Sequence, residues 1–258
     1  HGRTIGALSV GSNKKYKSNI GPVPGKVKFC KFNDVSHLKK LVNKKTVAII
    51  IEFVQGDGGI NICSKNFAKA IKGICKNKKI LLIGDEIQGG IGRTGKIFAY
   101  KHYGVNPDII TSAKGLGSGI PIGATIVKKY ISKIISTGFH GSTFGGGMLQ
   151  TRVSYNVFKT INTKRFLNKV LINGNVLSRL IKKMHHLHKD KIVDTRCLGL
   201  MAGVEFKNNQ IALKTYEKMS KNGLISTLIQ GNIIRLTPPL IVSSGEIRKA
   251  IKIITQSL

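Results

Sequence analysis

Thr46-Val-Ala-Ile-Ile-Ile-Glu52 and Ile80-Leu-Leu-Ile-Gly-Asp85 are short, almost wholly apolar runs, and each closes on a carboxylate. Unbroken aliphatic stretches of that length suit strands buried on both faces, as in a parallel sheet. Between them, Ser64–Asn77 carries Phe67, Ile71, Ile74 and Cys75 on one helical stripe, with Ser64 placed to cap the first turn. Strand, helix and strand make a βαβ unit. Asp108–Ser112 and Gly123–Val127 read as further strands, bounded by Gly and Pro, and the first runs directly into Lys114. Ligands of open α/β sheets gather at the carboxyl ends of the strands, so Glu52, Asp85 and Lys114 are expected to share one crevice.

The pattern changes after Gly147. Met148–Ile161 and Thr163–Met184 have helical apolar spacing. They are followed by a strand over Leu198–Phe206, a helix over Gln210–Lys221, a strand at Ile233–Leu236 and a last helix whose Ser243-x-x-Glu246 forms a capping box. The expected fold is therefore α/β: a large domain over 1–147 with a mainly parallel sheet flanked by helices, and a smaller C-terminal α+β domain over 148–258.

At 258 residues and 41% apolar content the chain can bury a sizeable core, and no apolar run is long enough to cross a bilayer. A membrane channel is excluded. The balance of 43 basic to 11 acidic residues gives a net charge of +32, which would ordinarily suggest nucleic acid. Only eight of the 43 are arginines, the residue that dominates base reading, and the lysines are spread over the whole length. That texture reads as a solvated surface, so neither a nucleic-acid nor a membrane partner is expected. Five of the eleven acids, Glu52, Asp57, Asp85, Glu86 and Asp108, fall in one stretch. Cys30, Cys63, Cys75 and Cys197 show neither zinc-ligand spacing nor a disulfide framework, and the start lacks a signal-peptide core, so a cytoplasmic protein is expected. His185, His186 and His188 scatter around a helix without an acid or Cys partner, which argues against a metal site. Gly115-Leu-Gly-Ser-Gly119 lacks the Lys-Ser/Thr of a phosphate loop and the spacing of a dinucleotide fingerprint.

Lys114, before a Gly-rich turn, and Asp85, at a strand end, are the two groups a pyridoxal phosphate enzyme needs. One is an amine to condense with the aldehyde, and the other a carboxylate to keep the pyridine nitrogen protonated. Taken alone they are also an ordinary strand-end Asp and one surface Lys among many. The segments IEFVQGDGG, LLIGDEIQGGIGRTG, YGVNPDIITSAKGLGSGIPIGA, HGSTFGG and IIRLTPPL decide between these readings. Their order and content resemble the class III pyridoxal-phosphate-dependent aminotransferases over nearly the whole chain. Tyr103–Ala124 is especially similar to the acetylornithine (succinyldiaminopimelate) aminotransferases, and Ile233–Leu240 to the ornithine aminotransferases as well.

The resemblance implies the pyridoxal-phosphate-dependent transferase fold of type I, pyridoxal 5'-phosphate as cofactor, and a homodimer with its active site at the subunit interface. It assigns Lys114 as the Schiff-base lysine and proton shuttle, Asp85 as the partner of the ring nitrogen, Ile87 to one ring face and Gln88 to the ring hydroxyl. Ser142 and Thr143 would reach the cofactor phosphate of the neighbouring subunit, and Glu52 would be a supporting carboxylate near the cofactor. On the substrate side, Arg235 would grip the α-carboxylate and Arg3 would be a second arginine. Asp57 stands where the family usually has a Glu that pairs with the carboxylate-binding arginine, and is one methylene shorter. Phe53 departs from the usual Pro, and Gly147-Met148 from the usual Asn-Pro. The family's phosphate-binding turn and stacking aromatic have no counterpart after His1, so a fragment of a longer enzyme or a decayed relative is expected. The implied reaction is transamination of N2-acetylornithine with 2-oxoglutarate in arginine biosynthesis, with lysine biosynthesis as a further route. The alternatives are ornithine or another ω-amino acid as donor, and a non-catalytic basic remnant of such an enzyme.

Overall fold

The two apolar runs lie side by side in parallel, Ala48 opposite Leu81 and Ile51 opposite Gly84. The computed structural model describes residues 1–258. Helices α1 (Ile5–Val10) and α2 (Val35–Leu41) come first, α2 capped by Asp34, which accepts from the His37 N–H at 2.8 Å. Then follow β1 (Ala48–Ile51), a ribbon of β2 (Val54–Gln55) and β3 (Asn61–Ile62), α3 (Lys65–Lys78), β4 (Leu81–Asp85), β5 (Ile109–Ser112), β6 (Ala124–Val127) and the short α4 (Lys129–Ser132). The first sheet runs β1-β4-β5-β6, with β1, β4 and β5 parallel and β6 antiparallel at the edge. Ser64 caps α3 as expected, accepting from the Phe67 N–H at 3.1 Å. The stripe of α3 buries Phe67, Ala68, Ile71 and Cys75 against Ile51, Phe53 and Leu82. Each large side chain buried there contributes roughly 1.5–3 kcal/mol. The stripe therefore fixes α3 on the sheet, and the strand ends stay free for chemistry.

The remainder comprises α5 (Met148–Ile161), α6 (Lys164–Leu187), β7 (Ile192–Leu198), β8 (Met201–Phe206), α7 (Asn209–Lys221), β9 (Thr227–Ile229), β10 (Ile233–Leu236) and α8 (Ser244–Ser257). A second, antiparallel sheet runs β7-β8-β10-β9. Its strands β8 and β10 alternate, while β7 shifts register between Ile192 and Asp194. Ala202, Val204, Phe206, Ile234 and Leu236 face a core shared with Leu177 and Ile181 of α6, Met219 of α7 and Ile251 of α8. Leu198 and Met201 face the other way and pack on Val54 and Ile60 of the β2–β3 ribbon. The Ser243–Glu246 capping box is present at the start of α8.

The single strand expected over Leu198–Phe206 is instead the turn and second arm of the β7–β8 hairpin. Gly199 makes the turn with φ +58°, and a Cβ there would stand 2.5 Å from the Thr94 backbone, so only Gly fits. The loop after β4 meets this hairpin through Arg93. Its guanidinium donates to the carbonyls of Leu200 at 3.0 Å and Pro238 at 2.6 Å. Burial without a carboxylate partner lowers the Arg93 pKa to about 10. Ile161 at the end of α5 packs with Ile91, Ile97, Phe98 and Ile110 beside the first sheet. No helix is long and apolar enough to cross a membrane.

Candidate active site

Asp85 closes β4 and is buried, 5% exposed, because the strands on either side shield it. One of its oxygens accepts from the Ile87 N–H at 3.2 Å. Glu52, just past β1, accepts from the Gly56 N–H at 3.3 Å. Burial, reinforced by the charge of Asp85, pushes its pKa up to about 7.

Lys114 follows β5 in a 3₁₀ turn, Lys114–Leu116, with φ +48°. A left-handed backbone at a residue other than Gly costs energy, and such positions concentrate at functional sites. Its side chain is exposed. Partial burial of the amine lowers its pKa, and the positive charge of Arg235 adds to this. The negative charges of Asp57, Glu52 and Asp85 oppose the shift. All four charged groups therefore act on the one amine, which brings together the three residues expected to share a crevice.

The β2–β3 ribbon and β10 supply the second half of the site. Arg235 on β10 donates to Asp57 Oδ1 at 2.6 Å and to Gln88 Oε1 at 3.3 Å, and Gln88 Nε2 donates to the same Asp57 oxygen at 3.2 Å. The shorter acid thus reaches its arginine. Burial pushes the Asp57 carboxyl up, but the bonds from Gln88 and Arg235 and the charges of Arg235 and Lys114 outweigh it and hold the pKa below the usual carboxylate value. Ile87 is half-buried beside Asp85.

Three expected residues stand apart from this cluster. Ser142 and Thr143 are exposed on the loop before α5 and make no side-chain hydrogen bond within the chain. The Arg3 guanidinium lies 3.6 Å over the Tyr16 ring. Two residues were missed. Gly56 leaves the room that Gln88 fills, since a Cβ there would lie 1.9 Å from Gln88 Oε1. Gln230 donates to the Asp57 carbonyl at 2.7 Å. The Asp57-Gly58 pair was the available signal, because it marks a hairpin turn even between strands too short to show periodicity.

The family model described as Aminotransferase class-III matches residues 1–258. The chain belongs to the class-III aminotransferase family. It is 39% identical over 260 residues to ornithine aminotransferase 1 of Staphylococcus saprophyticus, covering 100% of this chain and 64% of that one. It is 40% identical over 247 residues to an acetylornithine aminotransferase of Methanocaldococcus jannaschii, covering 96% and 61%. The ornithine aminotransferase structure from Toxoplasma gondii ME49 superposes with a TM-score of 0.93 at 30% identity, covering 99% of this chain and 62% of that one. The chain thus spans a little over three-fifths of the length of these relatives. The architecture is fold type I of the pyridoxal-phosphate-dependent transferases, and the cofactor of this class-III chain is pyridoxal 5'-phosphate. The residues present suit that group: a buried carboxylate at the end of β4 and, after β5, an amine of lowered pKa on which that carboxylate's charge bears.

Proposed function

We propose that the protein transfers the amino group of an acylated ornithine, N2-acetylornithine first, to 2-oxoglutarate, as a step in arginine biosynthesis in the cytoplasm. The observation that carries this reading is Arg235, whose guanidinium grips the Asp57 carboxylate in the same charge cluster that acts on Lys114. An arginine already holding a carboxylate beside an amine of lowered pKa is the arrangement needed to orient an amino acid over a cofactor. Bound there, pyridoxal phosphate supplies a ring that withdraws electrons from the substrate carbon. Asp85 would hold the ring nitrogen's proton, Gln88 the ring hydroxyl and Ile87 one ring face, with Glu52 as a supporting carboxylate. Lys114 would carry the cofactor and move the proton. Arg235 would take the substrate α-carboxylate in place of Asp57, and Arg3 would be a second arginine for the substrate.

The reading includes a homodimer, in which Ser142 and Thr143 hold the cofactor phosphate of the neighbouring subunit. Support comes from their exposure and from the apolar side chains bared around them: Ile134 at 77%, Phe139 at 72%, Phe144 at 86% and Met148 at 90%. A patch of that kind marks a protein contact. It also includes the division into a cofactor domain over 1–147 and a smaller domain over 148–258 that contributes Arg235. Ornithine as donor is the second reading, favoured by the Staphylococcus and Toxoplasma relatives named as ornithine aminotransferases.

The test is borohydride reduction of the purified holoenzyme followed by peptide mapping, together with glutamate formation from 2-oxoglutarate and a panel of donors. Label on Lys114 with a preference for N2-acetylornithine is expected. A preference for free ornithine would select the second reading, and label on another lysine would remove the site assignment. Absence of both label and turnover would leave a non-catalytic remnant.

A further inference from the structure

Arg196 on β7 and Arg235 on β10 are both register partners of Gly203 on β8, so one cross-strand row of the second sheet reads Arg, Gly, Arg on a single face. The ribbon turn Gly56–Ile60 lies across this row. Ile60, fully buried, comes within 3.1 Å of the place a Gly203 Cβ would occupy, so the turn fits the gap between the two arginines. Each arginine holds one end. Arg235 takes Asp57. Arg196 donates through one nitrogen to the Gly59 carbonyl at 2.8 Å and to Asn61 Oδ1 at 2.7 Å, and Asn61 in turn donates to the Gly58 carbonyl at 2.7 Å. Behind it, Arg196 is anchored by ion pairs to Asp194, at 2.9 Å, and to Glu205. Its side chain is 17% exposed.

We propose that Arg196 is a positioning residue for carboxylate recognition: it pins the far end of the turn so that Asp57 stays seated on Arg235 until a substrate carboxylate displaces it. The inference rests on the reading of Arg235 as the substrate-carboxylate site. A turn holding Gly56, Gly58 and Gly59 has little stiffness of its own, because Gly gives up the most backbone freedom on ordering. The restraint must come from outside the turn. A planar fork can serve two acceptors of the turn and two carboxylates of the sheet together, whereas a lysine ammonium is a point charge on a flexible stem. Arg196 touches neither Lys114 nor Asp85 and acts only through Asp57.

The experiment compares Arg196→Lys, Asn61→Ala, Asp57→Asn, Arg235→Lys and the double variant Arg196→Lys/Asp57→Asn. With the turn loosened, Asp57 competes less well for Arg235. The KM for a donor bearing an α-carboxylate should then fall about threefold in Arg196→Lys, the scale of a partly exposed ion pair, with kcat within about twofold. Asn61→Ala, which leaves the sheet intact, should shift KM the same way but less. In the Asp57→Asn background the Arg196 change should add nothing, because its effect runs through that carboxylate. In the cofactor-free protein, hydrogen exchange of the 56–60 amides should quicken in Arg196→Lys, with β8 and β10 as protected as before. If Arg235→Lys raises KM but Arg196→Lys leaves both KM and turn exchange at wild-type values, the role of Arg196 is overturned and the Arg235 reading stands. An additive double variant also overturns it. If Arg235→Lys leaves KM unchanged, the Arg235 reading itself fails and takes this inference with it.

Discussion

Replacing Asp57 with Asn should tighten the binding of α-carboxylate donors in the proposed reaction. Asp57 Oδ1 lies 2.6 Å from the Arg235 guanidinium, where a substrate carboxylate would have to sit, so the two acids compete for one cation. Asn keeps an oxygen at that place but removes the charge. A charge-assisted hydrogen bond contributes about 1.5–3 kcal/mol and a neutral one about 0.5–1.5 kcal/mol. The Asp57 side chain is 51% exposed and its partner 17%, so solvent screening brings the difference down to about 1 kcal/mol. The expected result is a KM about fivefold lower for N2-acetylornithine, with kcat within about twofold of wild type. A primary amine without an α-carboxylate is the control, and its KM should not fall. Steady-state kinetics with both donors reads the effect. An unchanged KM for the carboxylate donor, or an equal fall for both donors, would refute the competition.

Asp85→Asn should leave the fold intact and slow transamination by orders of magnitude, since a neutral amide no longer holds a ring proton; near-normal turnover would remove Asp85 from its role. Glu86 next door should matter for stability instead. It is 1% exposed and its two oxygens accept from the buried Ala99 N–H at 2.7 Å and the Tyr100 N–H at 2.8 Å, so Glu86→Ala orphans two donors and should cost roughly 2–6 kcal/mol in urea unfolding, with Glu86→Gln in between. A loss below about 1 kcal/mol for Glu86→Ala would contradict that accounting. Burial also lifts the Glu86 pKa to about 7, against the usual 4.5. A carboxyl whose pKa is raised on folding contributes its full share of stability below the unfolded pKa and loses it as pH rises to the folded one. Unfolding free energy should therefore decline between about pH 4.5 and 7 by up to about 3 kcal/mol from this group, and the decline should shrink in Glu86→Gln. An identical pH profile in that variant would show that Glu86 is ionised in the fold across this range.

What the sequence made legible follows the strength of local signals. β1 and β4 were visible as unbroken aliphatic runs, β5 and β6 as short strands between Gly and Pro, and α3 and α8 because their stripes begin at side-chain caps that close as expected. β7 was missed since Ile192–Leu198 carries three polar residues in a row, Asp194, Thr195 and Arg196, and a register shift between Ile192 and Asp194 breaks any period of two, with Arg196 on the ribbon side. The β2–β3 ribbon has two residues in each arm, too few for any period. Within the site, Lys114, Asp85 and Arg235 were found from motif order, but the left-handed backbone at Lys114 is imposed by its surroundings and has no sequence mark. Gly56 and Arg196 escaped for a related reason, because each acts through a residue far along the chain.

The carboxylates of this chain share one pattern of use. In a protein of net charge +32 an acid on the open surface is scarce, and those present hold something definite. Asp34 and Glu246 cap helices, Asp108 binds the Leu82 N–H and Lys128, and Glu86 holds the backbone of 99–100. The charges of Glu52, Asp57 and Asp85 bear on Lys114, while Asp194 and Glu205 anchor Arg196. Only Asp190 and Glu217 make no such contact. Surface Lys adds charge without adding geometry, because an exposed ion pair contributes little and is screened by salt. The excess of lysine can therefore accumulate over the outside of this fold without disturbing the site, where Arg235 and Arg196 are each held by a named acid.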